Sequence, residues 1–153
     1  MVKDKSKVIR TYDSEGFKLR ASCICVRSEE ALEVLLISST GKPGMWKLPG
    51  GGLEPGEESR AAASREVLEE AGVVGILGRS LGVFENPEQK ERTEVYVMIV
   101  TQELDEWEES IDRNRKRQWF RIEEAIEKVA LYKPLQRNYL QELCPSKIMQ
   151  TLA

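Results

Sequence analysis

Three glutamates, Glu66, Glu69 and Glu70, stand at i, i+3 and i+4 within Arg65-Glu66-Val67-Leu68-Glu69-Glu70-Ala71-Gly72-Val73. At about 100° per residue they share one face of a helix. Like charges at that spacing destabilise an isolated helix, so the fold must supply something that compensates them. Hard carboxylate oxygens with no lysine among them suit a divalent cation such as Mg²⁺ or Mn²⁺. A solvated acidic face is the usual fate of a charge run. That reading leaves unexplained why the flanking glycines, Glu57, Arg65 and two aliphatic positions accompany the trio.

The chain of 153 residues contains no histidine. A His general base, a Ser-His-Asp triad and a His-ligated metal are therefore excluded within it. Acid–base work at neutral pH falls to a carboxylate, a Lys, a Tyr, a Cys or a metal-activated water. Cys23, Cys25 and Cys144 are too few and too poorly placed for a disulfide framework or paired zinc ligation. They read as reduced thiols of a cytosolic or nuclear protein, two of them core filler on one face of a strand.

The elements that must position the trio follow from periodicity. Residues 17–27 and 33–39 are β-rich runs joined as a hairpin, and Met45–Leu48 is a short strand ended by Pro49-Gly50-Gly51-Gly52. The three glycines allow positive φ and close approach of backbone to a ligand; a tight turn there would aim a carbonyl at a metal. A helix runs from about Glu57 to Ala71 and stops at Gly72. On a wheel, Ala61, Ser64, Val67, Leu68 and Ala71 point one way and the glutamates the other. Arg65, at the edge between the faces, is placed to orient carboxylates such as Glu57. Strands over 76–85, 93–102 and 118–121 follow, the middle one apolar on both faces. Helices over 122–130 and 134–143 come last. Strands with helices on two sides give an α/β (α+β) chain, an α/β/α sandwich around a central mixed β-sheet. The reading places one domain at residues 1–144 and a short disordered tail at 145–153.

Apolar residues make up 41% and charged residues 32%, with a net charge of −3. No apolar run reaches membrane length and no secretory leader is visible, so no membrane partner is expected and the chain reads as cytoplasmic, with the nucleus as a second location. Bases gather in residues 1–20 and 112–121, while much of the acid lies at 54–70 and 103–109. Acidic metal ligands rimmed by bases suit a metal-chelated polyphosphate. The run Arg113–Arg117 is short in a chain of pI about 5.3, so no stable nucleic-acid partner is expected.

The segment Gly51–Val73 resembles the Nudix box, the signature of enzymes that hydrolyse a nucleoside (or other) diphosphate linked to a further group. Beyond the box, residues 8–143 are similar to the diphosphoinositol polyphosphate phosphohydrolases. The similarity rests on Arg10-Thr11-Tyr12-Asp13, the Lys18–Cys25 strand, Trp46 with Pro49-Gly50-Gly51-Gly52, Phe84-Glu85-Asn86, Trp107-Glu108, Arg115 through Phe120, and Lys133-Pro134. It implies the Nudix α/β/α sandwich and a Mg²⁺- or Mn²⁺-dependent hydrolase. Its substrates would be inositol pyrophosphates, losing the β-phosphate, and diadenosine polyphosphates. It also implies Glu66 and Glu70 as metal ligands with the Gly50 carbonyl, and Glu69 as general base, although such roles move among these glutamates within the family. Arg10, Lys18, Arg20, Arg115 and Lys133 match its phosphate-binding bases, and Ser39 and Thr40 a loop of hydroxyl and amide donors. Two departures stand out: bases are expected at Gly41 and Gln89, where Lys42, and Lys90 or Arg92, are the substitutes at hand.

A polyanionic small molecule is thus the expected partner; a monomer is favoured, and the residues leave the oligomeric state open. An inositol carrying six or more phosphates bears about ten negative charges, at roughly 1.5–2 per monoester phosphate, and calls for a ring of Lys and Arg. Diadenosine polyphosphates, nucleotide sugars, capped RNA or linear polyphosphate as main substrate, or a polyphosphate-binding protein without catalysis, are the competing readings. A base-bearing substrate would use aromatic platforms, for which Trp46, Phe84 and Trp119 are the candidates.

Overall fold

Residues 10–28, 30 and 32–143 are described by the computed structural model. Cys144, the proposed domain end and the tail 145–153 lie outside them. In chain order the elements are β1 (Lys18–Val26), β2 (Glu33–Ser38), β3 (Trp46–Lys47), β4 (Gly50–Gly52), α1 (Ser59–Ala71) and β5 (Val73–Asn86). There follow β6 (Glu91–Glu103), α2 (Glu108–Asp112), β7 (Arg117–Arg121), α3 (Ile122–Tyr132) and α4 (Pro134–Leu143).

Among the described residues the strands form one seven-stranded mixed sheet, in which β3-β2-β1-β6-β5 are successive neighbours. The pair β1–β6 is parallel and the rest are antiparallel. Strands β1 and β2 pair at Val26 and Val34, as the expected hairpin requires. They then part, and Trp46–Gly52 fills the fork: β3 pairs with β2, while β4 pairs with β1 from Arg20 to Ser22.

Strict alternation along β1 and β2 divides the core between two faces. Ile24, Val26, Val34 and Leu36 meet Val129 of α3 and Leu140 of α4. Ala21, Cys23, Cys25, Leu35 and Ile37 meet Ala62, Ala63, Val67 and Ala71 of α1. The α/β/α sandwich is the outcome. Burial pushes the Cys23 thiol up to about 12 and holds Cys25 well above the ordinary thiol value, which fits inert core thiols.

Three local expectations need correcting. The glycine run is not a turn: Gly50–Gly52 is strand β4, and none of the three has positive φ. Edge pairing with β1 extends the chain where composition alone suggested a bend. The wheel of α1 is also rotated. Ala61, Ser64 and Leu68 are exposed, whereas Glu66 and Glu70 are buried with Ala62, Ala63, Val67 and Ala71. The helix thus buries two carboxylates on its sheet-facing side, a choice that apolar patterning cannot signal. Helix α2 was not expected, because Glu103–Glu109 reads as a plain acidic run.

Candidate active site

Helix α1 carries the glutamates, and it is fixed at both ends. At its C-terminus Gly72 adopts the left-handed conformation, φ 65°, and donates to the carbonyls of Leu68 and Val67. A Cβ at Gly72 would lie 2.5 Å from the Trp107 ring, so the stop and the packing both require glycine. Trp107 Nε1 donates to the Glu70 carbonyl at 2.8 Å. The Arg117 guanidinium donates to the carbonyls of Ala71 and Gly72 at 2.9 and 3.1 Å, placing a cation at the negative end of the helix.

Ahead of the other end lies Glu57, on which Arg65 of mid-helix forms a fork, with Nε to Oε2 at 2.8 Å and Nη2 to Oε1 at 2.9 Å. It also donates to the Gly52 carbonyl at 3.1 Å and to Glu66 Oε1 at 2.9 Å, and reaches Glu69 Oε2 at 3.5 Å. This is the orienting role anticipated for Arg65, extended to the strand carrying the glycines. The bond to Glu57 holds its pKa far above the ordinary arginine value, so it is a fixed cation.

The glutamates differ in access. Side-chain exposure is 4% for Glu66, 4% for Glu70 and 14% for Glu69. Glu66 packs on β4 so closely that a Cβ at Gly51 would lie 2.5 Å from its carboxyl carbon. Glu70 Oε1 accepts the Gly50 amide at 2.8 Å. The glycine strand is therefore where backbone and the two buried carboxylates converge.

Among the described residues, no three Asp, Glu, His or Cys side chains form a preassembled cage for an ion. Mg²⁺ does not need one, since it keeps several waters and takes few protein carboxylates. Two hard carboxylates against a backbone stripped of side chains fit that demand. Glu66, Glu70 and the Gly50 carbonyl are residues that could hold it.

Arg115, expected among the phosphate-binding bases, lies elsewhere. It is 6% exposed and gives Nη2 and Nε to Glu109 Oε1 at 2.7 and 3.1 Å, and Nη1 to the Ser38 carbonyl. Its Nη2 is 3.7 Å from Glu70 Oε2. A guanidinium so enclosed touches the metal-ligand candidate rather than a ligand in solvent. Glu109, itself buried, went unnoticed in the sequence because it belongs to the acidic run that became α2.

On the other side of Gly50 opens a cavity of about 420 Å³, walled by Lys18, Arg20, Ser22, Lys47, Gly50, Glu91 and Lys133 among others. Lys18, Arg20 and Lys133 are thus brought together as expected, with Gly50 in the same wall. Lys18 Nζ is 3.0 Å from Glu91 Oε2, and Arg20 is 4.0 Å from it. Gln136 of α4 braces the floor by accepting the Leu48 amide at 2.8 Å. Lys47 and Gln136 were missed; a lysine in a two-residue strand ahead of the glycines was the available signal.

Ser39 and Thr40 are not in the wall. Ser39 Oγ accepts the amides of Gly41 and Lys42 and donates to the Tyr132 hydroxyl at 3.3 Å. That bond, with Lys133, Lys47 and Lys42 nearby, lowers the Tyr132 phenol below its usual value. Through Tyr132 the loop adjoins Lys133. Arg10 is also off the wall and lies beside Gly52, where a Cβ would be 3.5 Å from Nη1.

The candidate aromatic platforms have other work. Trp46 packs edge-on to Phe120 at 5.2 Å, and Phe84 packs on Tyr139 at 4.7 Å, both against the α3–α4 core. Trp119 carries the Arg27 guanidinium at 4.3 Å, away from the cavity. The basic run 113–117 is likewise dispersed, since Arg115 and Arg117 turn inward. Among the described residues, no helix is long and apolar enough to cross a membrane.

Comparison with known proteins bears on this arrangement. The NUDIX domain family profile matches residues 16–143. Diphosphoinositol polyphosphate phosphohydrolase 2 of Homo sapiens is 54% identical over 143 residues, covering 94% of this chain and 79% of that protein. Diphosphoinositol polyphosphate phosphohydrolase 3-beta of Homo sapiens is 54% identical over 143 residues, covering 93% of this chain and 87% of its own. Among solved structures, a NUDIX hydrolase from Nitrosomonas europaea superposes with a TM-score of 0.62 at 22% identity, over 84% of this chain and 88% of the other. At that identity the likeness speaks for the fold.

Proposed function

Because the chain belongs to the Nudix family, we propose that it is a divalent-metal-dependent hydrolase of phosphoanhydride bonds that removes the β-phosphate from inositol pyrophosphates and also cleaves diadenosine polyphosphates. One observation carries this reading: buried carboxylates on α1 and a cation-lined cavity meet at Gly50. The relatives named above as diphosphoinositol polyphosphate phosphohydrolases favour the same substrate class.

Each part of the chain has a task in that reaction. Lys18, Arg20 and Lys133 bind non-reacting phosphates and set the register of the ring in the cavity. Glu66, Glu70 and the Gly50 carbonyl would hold Mg²⁺ or Mn²⁺. When bound, such an ion supplies charge neutralisation on the phosphate oxygens and lowers the pKa of a water. Arg65 keeps Glu66 against β4, and the Glu109–Arg115 pair steadies Glu70 from behind. Glu69, the least buried of the trio, accepts the proton of the attacking water as general base. All carboxylates of the box are present, which favours catalysis over passive binding.

Phosphate release from an inositol pyrophosphate, measured beside adenine-nucleotide release from a diadenosine polyphosphate with Mg²⁺ and Mn²⁺, tests the proposal. Catalytic, metal-dependent release is expected with both, faster from the inositol compound. A large preference for the diadenosine compound overturns the main substrate. No turnover with either metal overturns the enzyme reading.

A further inference from the structure

The bases missing at Gly41 and Gln89 are not replaced by their neighbours. Lys42 lies over the Tyr132 ring, Nζ 5.5 Å from the centroid. Lys90, held at a φ of 53°, points its ammonium at the Phe17 ring, 6.0 Å from the centroid. Arg92 is committed to Asp13, Glu15 and Glu85. None of the three lines the cavity that holds Lys18, Arg20 and Lys133.

Lys47 does line it. The residue sits on β3 opposite Ile37 of β2, so its backbone is fixed by the sheet rather than by a loop. It is half-buried, and among the described residues no carboxylate lies within ion-pair reach of its Nζ, in contrast to Lys18 on Glu91. Burial pulls its pKa below the ordinary lysine value, opposed by the more distant charge of Glu70 and reinforced by Arg115 and Arg20. A desolvated ammonium without a partner is costly in the ligand-free protein and is relieved by an anion. Among the described residues the wall then holds four cations, Lys18, Arg20, Lys47 and Lys133, against the single carboxylate of Glu91.

We propose that Lys47 is a phosphate-binding, specificity-determining residue that supplies from strand β3 the cation absent at positions 41 and 89. It grips a phosphate of a densely phosphorylated ring on the cavity wall, three residues from Gly50 and so toward the carboxylate end. This rests on the reading of the chain as an inositol pyrophosphate hydrolase. A ring with phosphates on every side engages wall and rim cations together, whereas a linear polyphosphate presents its charges in one line. Lys47 therefore matters more for the former.

The test uses Lys47→Met and Lys47→Arg, with Lys42→Met as control. Binding of inositol hexakisphosphate is measured calorimetrically without divalent metal, and kcat and KM are measured for an inositol pyrophosphate and a diadenosine polyphosphate. Lys47→Met is expected to weaken hexakisphosphate binding by about tenfold, the scale of one charge-assisted hydrogen bond. KM for the inositol pyrophosphate should rise in parallel with little change in kcat, and the diadenosine KM should change less. Lys47→Arg should recover most of the loss, and Lys42→Met should match the wild type. If folded Lys47→Met binds hexakisphosphate like a wild type that is itself active, the role of Lys47 falls and the substrate reading stands. If the wild type neither binds hexakisphosphate nor cleaves the pyrophosphate, the substrate reading falls and takes this proposal with it.

Discussion

The two sides of Gly50 treat their charges in opposite ways. On the α1 side, cations and carboxylates answer one another: Arg65 spans Glu57, Glu66 and Glu69, and Arg115 spans Glu109 and Glu70. On the cavity side, Lys47 has no carboxylate partner among the described residues, and Lys18 and Arg20 share the single acid Glu91. The first region is built rigid before any ligand arrives, as residues that must hold geometry require. The second keeps positive charge in reserve for a polyanion, at some cost to the ligand-free fold. On the proposed function, the rigid carboxylates and the underneutralised cavity are complementary halves of one site.

Breaking the rigid half should have the largest effect. Glu66→Gln and Glu70→Gln each keep shape and remove charge, and turnover should fall by about 10³ or more, since the ion's contribution is worth several kcal/mol. Circular dichroism should show both variants folded; near-normal rates in either would remove that residue from the ligand set. Gly51→Ala attacks the same half through packing alone. The added methyl meets the Glu66 carboxyl at 2.5 Å, so turnover should drop by about 10², the scale of a displacement near 1 Å, with a higher metal requirement.

Glu109→Gln sharpens the comparison by uncovering a buried cation. Arg115 loses its counter-charge and bears fully on Glu70, so Mn²⁺ binding, followed by titration, should weaken. Stability should fall by about 3 kcal/mol, as expected for breaking a buried pair. Unchanged stability would mean that the pair is not enclosed as described.

The smallest effect should have the opposite sign. Lys47→Met removes a desolvated ammonium, so the ligand-free protein should gain a few degrees at most in Tm at neutral pH. Because Lys47 has a lower pKa folded than unfolded, the wild type carries its penalty fully below the folded value. That penalty is relieved as pH rises toward the ordinary lysine value, so the advantage of the methionine should shrink there. A loss of stability at neutral pH would show Lys47 to be satisfied in the ligand-free protein.

Much of the frame was legible. The β-rich runs 17–27 and 33–39 gave strands and a hairpin, and Gly72 gave the helix stop. The Glu66–Glu70 spacing gave a shared face, and the place of Arg65 at its edge pointed to carboxylates such as Glu57. Other features were not local. Which side of α1 faces the sheet depended on Gly51 making room for Glu66, a fact about two segments at once. Arg115 looked like its neighbours in a basic run until Glu109 of α2 enclosed it. Gly50–Gly52 looked like a turn until the parting of β1 and β2 left a fork to fill.

Residue order by itself determined the chemistry available: no imidazole, three carboxylates on one helical face, a glycine run nearby and an excess of bases in residues 1–20 and 112–121. Those are properties of side-chain type and helical or strand period, which act over a few residues. Tertiary structure alone decided which charges cancel and which remain for a substrate. Coulomb attraction and desolvation depend on distance and burial, and the fold sets both by bringing together groups far apart in the chain, such as Lys18 with Glu91 and Arg115 with Glu70.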